Sequence, residues 1–321
     1  MKELGMDTLN NSKVIIARER INRPLDKMNS KANKPIENSE YSETCPFCRG
    51  NEDNISDETY VINKNNKWII KSVKNKYPII DENPLNEIKG EHEVIIDTYK
   101  HNGNFYNMME EEFYNLLIMY KTRFRSLKKK ENIKYICLFK NYLREAGASL
   151  MHSHSQILSL PFIPPDLEDE YKVCEEFYEK MGINMYNHII VQEIKNQKRV
   201  IHNSENFLVF VPAVCKFTGD TVILFKNDTY FYDLNDENIK ELSIILKKLF
   251  ERIYKEYGNC PFNLYIHTHP VNVEKNYKDK YNAHIHIVPR KFNFGGFELS
   301  TGMYISSVKS EDIANRLKFN E

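Results

Sequence analysis

The order of apolar segments repeats once along the chain, and that repeat limits what the chain can fold into. In the first pass, GEHEVIIDTYKH carries a strand through Val94 to Ile96, and residues 110–130 form an amphipathic helix. On that helix Phe113, Leu116, Leu117, Tyr120, Phe124 and Leu127 fall on one stripe. The strand KYICLFKN (134–141) follows, then a turn at Gly147, then GASLMHSHSQILSLP. In the second pass the strands are 205–214 and 221–226, and the helix is 236–256, with Ile239, Leu242, Leu246, Leu249 and Ile253 at helical spacing. A strand at 262–269 comes next, and then AHIHIVPR (283–290). Each pass ends in a strand with histidines at i and i+2, whose side chains share one face. The pattern predicts an α+β fold of two similar halves, 1–165 and 166–321, each an antiparallel sheet with a packed helix.

The remaining segments fit around this repeat. Residues 59–63 and 67–73 read as a hairpin, and 166–181 as a helix connecting the halves. Val14 to Ala17 is a short strand, followed by a turn holding Arg18, Arg20 and Arg23, with Pro24 barring a helix there. Three arginines suit a phosphate or carboxylate ligand, but from the residues alone a solvated loop is the favoured reading.

Charge narrows the function. The chain of 321 residues carries 45 basic and 45 acidic side chains, a formal net charge of zero, which gives no electrostatic case for nucleic acid or a membrane surface. No apolar run has the length of a membrane span, and the N-terminus lacks the apolar core of a signal peptide. Of six cysteines only Cys45 and Cys48 are close in sequence, so a disulfide scaffold is not expected and a cytoplasmic setting is.

Two motifs carry the chemistry. His152, His154 and Gln156 line one face of a strand, offering a nucleophile or metal ligand beside an amide. Thr44-Cys45-Pro46-Phe47-Cys48 places two thiols on one tight turn, half of a tetrahedral zinc site. A redox pair, or two unrelated cysteines, are the other readings.

HIHIVPR resembles the histidine-triad signature, and HSHSQ resembles the His-x-His-x-Gln signature of the galactose-1-phosphate uridylyltransferases and related ADP-glucose phosphorylases. The resemblance spans nearly the whole chain and implies two histidine-triad-like halves in an enzyme of galactose and carbohydrate metabolism. It implies that His154 is a nucleophile forming a covalent nucleotidyl-histidine, and that Gln156 donates a hydrogen bond to the phosphoryl group. Gln stands where histidine-triad hydrolases carry a third His. Because an amide cannot act as a general acid or base, transfer between phosphates is favoured over hydrolysis.

The resemblance also implies a structural zinc on Cys45, Cys48, His101 and His152, and a second metal, zinc or iron, on Glu170, His267, His284 and His286. The phosphorylase branch builds its second site with another CxxC, and Met185-Tyr186-Asn187-His188 stands in that region here. His284 and His286 could equally be a metal-free copy of the first site. Arg20, Arg23, Asn75, Asn141 and Ser149 resemble the family's nucleotide and phosphate contacts, and Glu298 its sugar contact. Lys76 departs from the aspartate beside the ribose in classical members, so the base is open, although the tail at 295–317 looks closer to the phosphorylase branch.

Three functions are compatible with these residues. The first is nucleotidyl transfer from a nucleotide sugar to a sugar 1-phosphate, or to inorganic phosphate in an ADP-sugar phosphorylase. The second is a histidine-triad hydrolase run from His284 and His286, weakened by Asn282 in the place of the first His. The third is a zinc-stabilised nucleotide-binding protein without activity. Family members are often homodimers, a state no residue here decides.

Overall fold

A computed structural model describes residues 2–18, 38–83, 85–227, 229–290 and 295–319. The hairpin reads as expected: β3 (Glu58–Lys64) pairs antiparallel with β4 (Lys67–Lys74), Asn65 and Asn66 turning the chain at positive φ. The expected strands and helices of the first half follow as β5 (His92–Ile96), α1 (Glu110–Leu127), β6 (Tyr135–Tyr142) and β7 (His154–Leu160). Those of the second half are β9 (Phe207–Phe210), β10 (Thr221–Phe225), α4 (Asp236–Tyr257), β11 (Phe262–His267) and β12 (His284–Pro289). Between the halves run α2 (Pro165–Met181), α3 (Met185–Asn196) and the short strand β8 (Val200–Asn203).

Ten strands form one sheet in the order β3-β4-β5-β7-β6-β11-β12-β10-β9-β8. The order is symmetric about the antiparallel β6–β11 pair. Register carries the symmetry down to single residues: Ile96 lies opposite His154 as Leu224 lies opposite His284. Phe139 lies opposite Gln156 as Tyr265 lies opposite His286.

Alternate residues divide the sheet's environments. Ile95, Leu138, Ile157, Ile223, Ile266 and Ile285 point to one face and share a buried cluster with α1 and α4. The α1 stripe is all buried, each large apolar side chain contributing about 1.5–3 kcal/mol. The two helices meet through stacked Phe113 and Phe250, so Phe250→Ala would cost about 3–5 kcal/mol. Asn235 caps α4, its side chain accepting the Asn238 N–H at 2.8 Å. On the other face α2 and α3 cover Leu208, Phe210, Val222 and Leu224 with Leu167, Tyr171, Cys174, Tyr186 and Ile190. His154 and His284, opposite Ile96 and Leu224, belong to this second face.

A smaller sheet, β1 (Lys2–Met6), β2 (Lys13–Ala17) and β13 (Tyr304–Ser306), joins the two chain ends, with α5 (Gly296–Thr301) and α6 (Ser310–Leu317) around it. Only β2 of these is expected from sequence. The other four, β1, α5, β13 and α6, have eight residues or fewer and are too short for periodicity to reveal. No described helix is long and apolar enough to cross a membrane.

Candidate functional site

The strand β7 is fixed from behind. Ser153 and Ser155 flank His154 and point to the α1 face, where both hydroxyls donate to Asp97, at 3.0 and 2.8 Å. Lys140, wholly buried, donates to Asp97 Oδ2 at 2.7 Å and to the His154 carbonyl at 3.0 Å. Tyr120 completes the network through Ser155. None of these partners is evident in the sequence, because each depends on register.

On the opposite face the His154 ring donates from Nδ1 to the His152 carbonyl at 2.9 Å. That bond fixes the tautomer and leaves the lone pair on Nε2. Burial, and then the Lys140 cation, lower the His154 pKa, so the imidazole stays neutral below the usual range. Phe47, between the two cysteines, packs edge-on against His154 with ring centres 5.5 Å apart. Gln156 lies two residues on, its Oε1 at 2.8 Å from His92 Nε2.

The structure brings Cys45, Cys48, His101 and His152 together, with donor atoms all within 4.8 Å of one another. Cys45 Sγ is 3.5 Å and Cys48 Sγ 3.6 Å from His152 Nδ1, and Cys48 Sγ is 3.4 Å from His101 Nδ1. Bonds of about 2.3 Å to sulfur and about 2.0 Å to nitrogen put neighbouring ligands of a tetrahedron about 3.6 Å apart. The four residues therefore fit a tetrahedral metal ion. The His152 Nε2–H donates to the Thr98 carbonyl at 2.8 Å and aims Nδ1 at the sulfurs. Burial pushes the Cys45 thiol up to about 11, so a bound cation is what would make it a thiolate.

A second group unites His267, His284 and His286, again within 4.8 Å. Glu170 meets this group from the side. Its Oε2 is 2.9 Å from His267 Nδ1, while Oε1 accepts from Tyr186 and Tyr281 at 2.7 and 2.8 Å and lies 3.3 Å from His284 Nε2. Burial alone would raise this carboxyl, but His267 and then His284 hold it well below the usual range. His284 Nδ1 donates to the Asn282 carbonyl at 2.9 Å, and its buried Nε2 has no hydrogen-bond partner. An orphaned imidazole nitrogen beside two further imidazoles fits a metal ion. Asp220 is a member that sequence reasoning missed: its Oδ2 is 2.8 Å from His286 Nδ1, and burial raises its pKa to about 8.

The fold agrees with comparisons to known proteins. The model described as Domain of unknown function (DUF4921) matches residues 103–320, and the DUF4931 N-terminal domain model matches residues 26–163. An ADP-glucose phosphorylase of Arabidopsis thaliana is 29% identical over 331 residues, spanning 98% of this chain and 92% of that protein. A galactose-1-phosphate uridylyltransferase of Thermotoga maritima is 25% identical over 297 residues, 86% of this chain and 89% of that protein. The crystal structure of an Arabidopsis thaliana ADP-glucose phosphorylase with bound ADP-glucose superposes with a TM-score of 0.87 at 28% identity, covering 100% of both chains. The chain belongs to the DUF4921 family, within the galactose-1-phosphate uridylyltransferase and ADP-glucose phosphorylase group of histidine-triad proteins. A uridylyltransferase structure with a TM-score of 0.74 at 22% identity shares the fold.

The substrate contacts implied by the family fall in different places. Asn75 lies against the His92 ring, its Nδ2 3.1 Å from His92 Nε2. Asn141 accepts from Asn263 Nδ2 at 2.8 Å, and Arg290 donates to the Asn263 side chain at 2.9 Å, a polar chain across the central strands that includes two residues not foreseen. Ser149 is exposed in the loop leading to β7. Glu298 accepts the Gly295 N–H at 2.9 Å, which caps α5 locally. Arg20 and Arg23 lie outside the described residues.

Proposed function

We propose that this chain is a nucleotidyltransferase that passes a nucleoside monophosphate from a nucleotide sugar to a phosphate acceptor by way of His154. The observation that carries this reading is the His154 ring itself: neutral, with Nδ1–H held by the His152 carbonyl and Nε2 carrying the lone pair. In the first step Nε2 attacks the α-phosphorus, a P–N bond forms, and the P–O bond to the sugar phosphate breaks. Sugar 1-phosphate leaves with the electron pair. In the second step an acceptor phosphate oxygen attacks the same phosphorus, the P–N bond breaks, and the neutral imidazole returns. The Gln156 amide stabilises charge developing on the phosphoryl oxygens. Arg20, Arg23, Asn75, Asn141 and Ser149 are assigned to the nucleotide and its phosphates, and Glu298 to the sugar.

Cys45, Cys48, His101 and His152 would hold zinc, which fixes the start of the histidine strand. His267, His284 and His286, with Glu170, would hold a second zinc or iron. The division at residues 165 and 166, a cytoplasmic location and a homodimer belong to the same proposal.

Two substrate pairs follow. UDP-glucose with galactose 1-phosphate corresponds to the uridylyltransferases, and ADP-glucose with inorganic phosphate to the phosphorylases. The similarity over the full chain to the ADP-glucose phosphorylase makes the second pair the first to test. The experiment is incubation with each nucleotide sugar labelled at the α-phosphorus, followed by peptide mapping. Label on His154 and its discharge by one acceptor are expected; label on His284 would favour the hydrolase reading, and no label with either nucleotide would overturn transfer.

A further inference from the structure

We propose that His92 is a positioning residue that sets the orientation of the Gln156 amide. The inference rests on the transfer reaction proposed above and adds a residue to it. It starts from a backbone group, whose hydrogen-bonding sense is fixed. The Ile79 N–H points at His92 Nδ1 at 3.0 Å. An N–H can only donate, so Nδ1 must hold the lone pair and the ring proton resides on Nε2. His92 Nε2 is 2.8 Å from Gln156 Oε1 and donates to it. The amide oxygen is thereby occupied, and the Gln156 NH2 is the end left to donate to a phosphoryl oxygen. A reversed amide would set NH2 against Nε2–H, donor against donor. The tautomer and the Gln156 orientation thus both follow from one backbone proton, and the Asn75 NH2, 3.3 Å from Nδ1 and 3.1 Å from Nε2, then has Nδ1 as its acceptor.

The ring is well placed for this task. His92 is buried, and burial lowers its pKa, which keeps it neutral. It sits on β5 two residues before Val94, which lies opposite Gln156. Gly90 lets β5 come this close: a Cβ there would meet the Ser159 carbonyl oxygen at 2.1 Å. The segment 75–79 closes over the ring. The Asn75 N–H donates to the His92 carbonyl at 2.8 Å, and Asn75 Oδ1 accepts the Tyr77 N–H at 2.8 Å. His92 therefore connects the segment assigned to the nucleotide with the amide assigned to its phosphate.

The test is a double-mutant cycle on the rate of His154 labelling at saturating ADP-glucose or UDP-glucose, whichever labels the wild type. His92→Leu removes both ring contacts and is expected to slow labelling about tenfold to hundredfold, with little change in KM. His92→Gln keeps one acceptor and one donor and is expected to restore most of the rate. In the Gln156→Ala background, His92→Leu is expected to add less than about twofold. Ile79→Pro removes the N–H and fixes φ at an exposed residue, and is expected to slow labelling several-fold while the melting temperature holds. It serves if His92→Leu does not fold. Wild-type labelling rates in folded His92→Leu or Ile79→Pro, or losses from His92 and Gln156 that multiply, would overturn the role of His92 alone. Absence of label in the wild-type protein would instead remove the transfer reaction on which it depends.

Discussion

The two histidine strands occupy equivalent places in the sheet and are supported by opposite means. Behind His154 stand Ser153, Ser155, Lys140 and Asp97, all buried and mutually hydrogen-bonded. Behind His284 the register-equivalent residues are Ala283, Ile285, Ile266 and Phe225, equally buried and wholly apolar. A buried ion pair is a weak source of stability, and an apolar set of similar volume would serve as well. The C-terminal half demonstrates that this sheet position accepts one. The ionic set in the N-terminal half is thus explained by the role proposed for His154: a cation held at its carbonyl, which adds to burial in keeping the ring unprotonated and would favour an approaching phosphate.

The largest expected effect separates the halves by chemistry. His154→Ala should reduce covalent labelling by at least about a thousandfold, while His284→Ala should still form the labelled adduct. The reverse result would place the reaction in the C-terminal half. Next in size is the ionic set. Lys140→Met leaves Asp97 buried without its cation and should cost about 3–5 kcal/mol, measured by urea unfolding. Adding Asp97→Leu should recover most of that stability yet leave labelling slow. A double variant with full activity would remove the functional explanation of the pair.

Metal content sharpens the contrast further. Cys48→Ser should lose the metal of the first cluster and melt several degrees lower, whereas His267→Ala should retain that metal and lose only the second, as read by elemental analysis. The smallest effect concerns pH, at a residue of the N-terminal strand region that meets the C-terminal half. Asp7 is buried, accepts the Lys216 N–H at 3.0 Å, and is raised by burial from an ordinary 3.8 to about 7. Between these values the folded protein keeps a proton that the unfolded chain has released. Stability should therefore fall as pH rises through this window, and the penalty should be fully present above it. Asp7→Asn should flatten that slope and stabilise the protein at pH ~8 by at most about 4 kcal/mol, reduced because an amide can accept only one of the two backbone N–H bonds from Leu9 and Lys216.

Long periodic segments were legible in the sequence. The stripes on α1 and α4 and both histidine strands follow from spacing alone, because burial on one face dictates composition there. The Cys45, Cys48, His101 and His152 grouping was legible only through family resemblance, since the four residues span more than a hundred positions. What lay beyond reach was whatever depends on cross-strand register. Lys140 reads as one lysine among many until Asp97 is placed beside it. His92 and Asp220 looked ordinary, yet they hold equivalent positions, two residues before Val94 and Val222, and each supports the residue opposite that valine, Gln156 or His286. Superposing the two halves residue by residue would have drawn attention to both.

His152 serves two masters at once. Its ring faces the two sulfurs, while its carbonyl receives the proton that orients the ring of His154. Strain in the ligand sphere of a metal held there would pass through a single peptide unit to the nitrogen proposed to attack. Exchanging a zinc ion bound there for a wider one such as cadmium would thus act as a vernier on the proposed angle of attack, altering turnover in a protein whose fold and His154 are both intact.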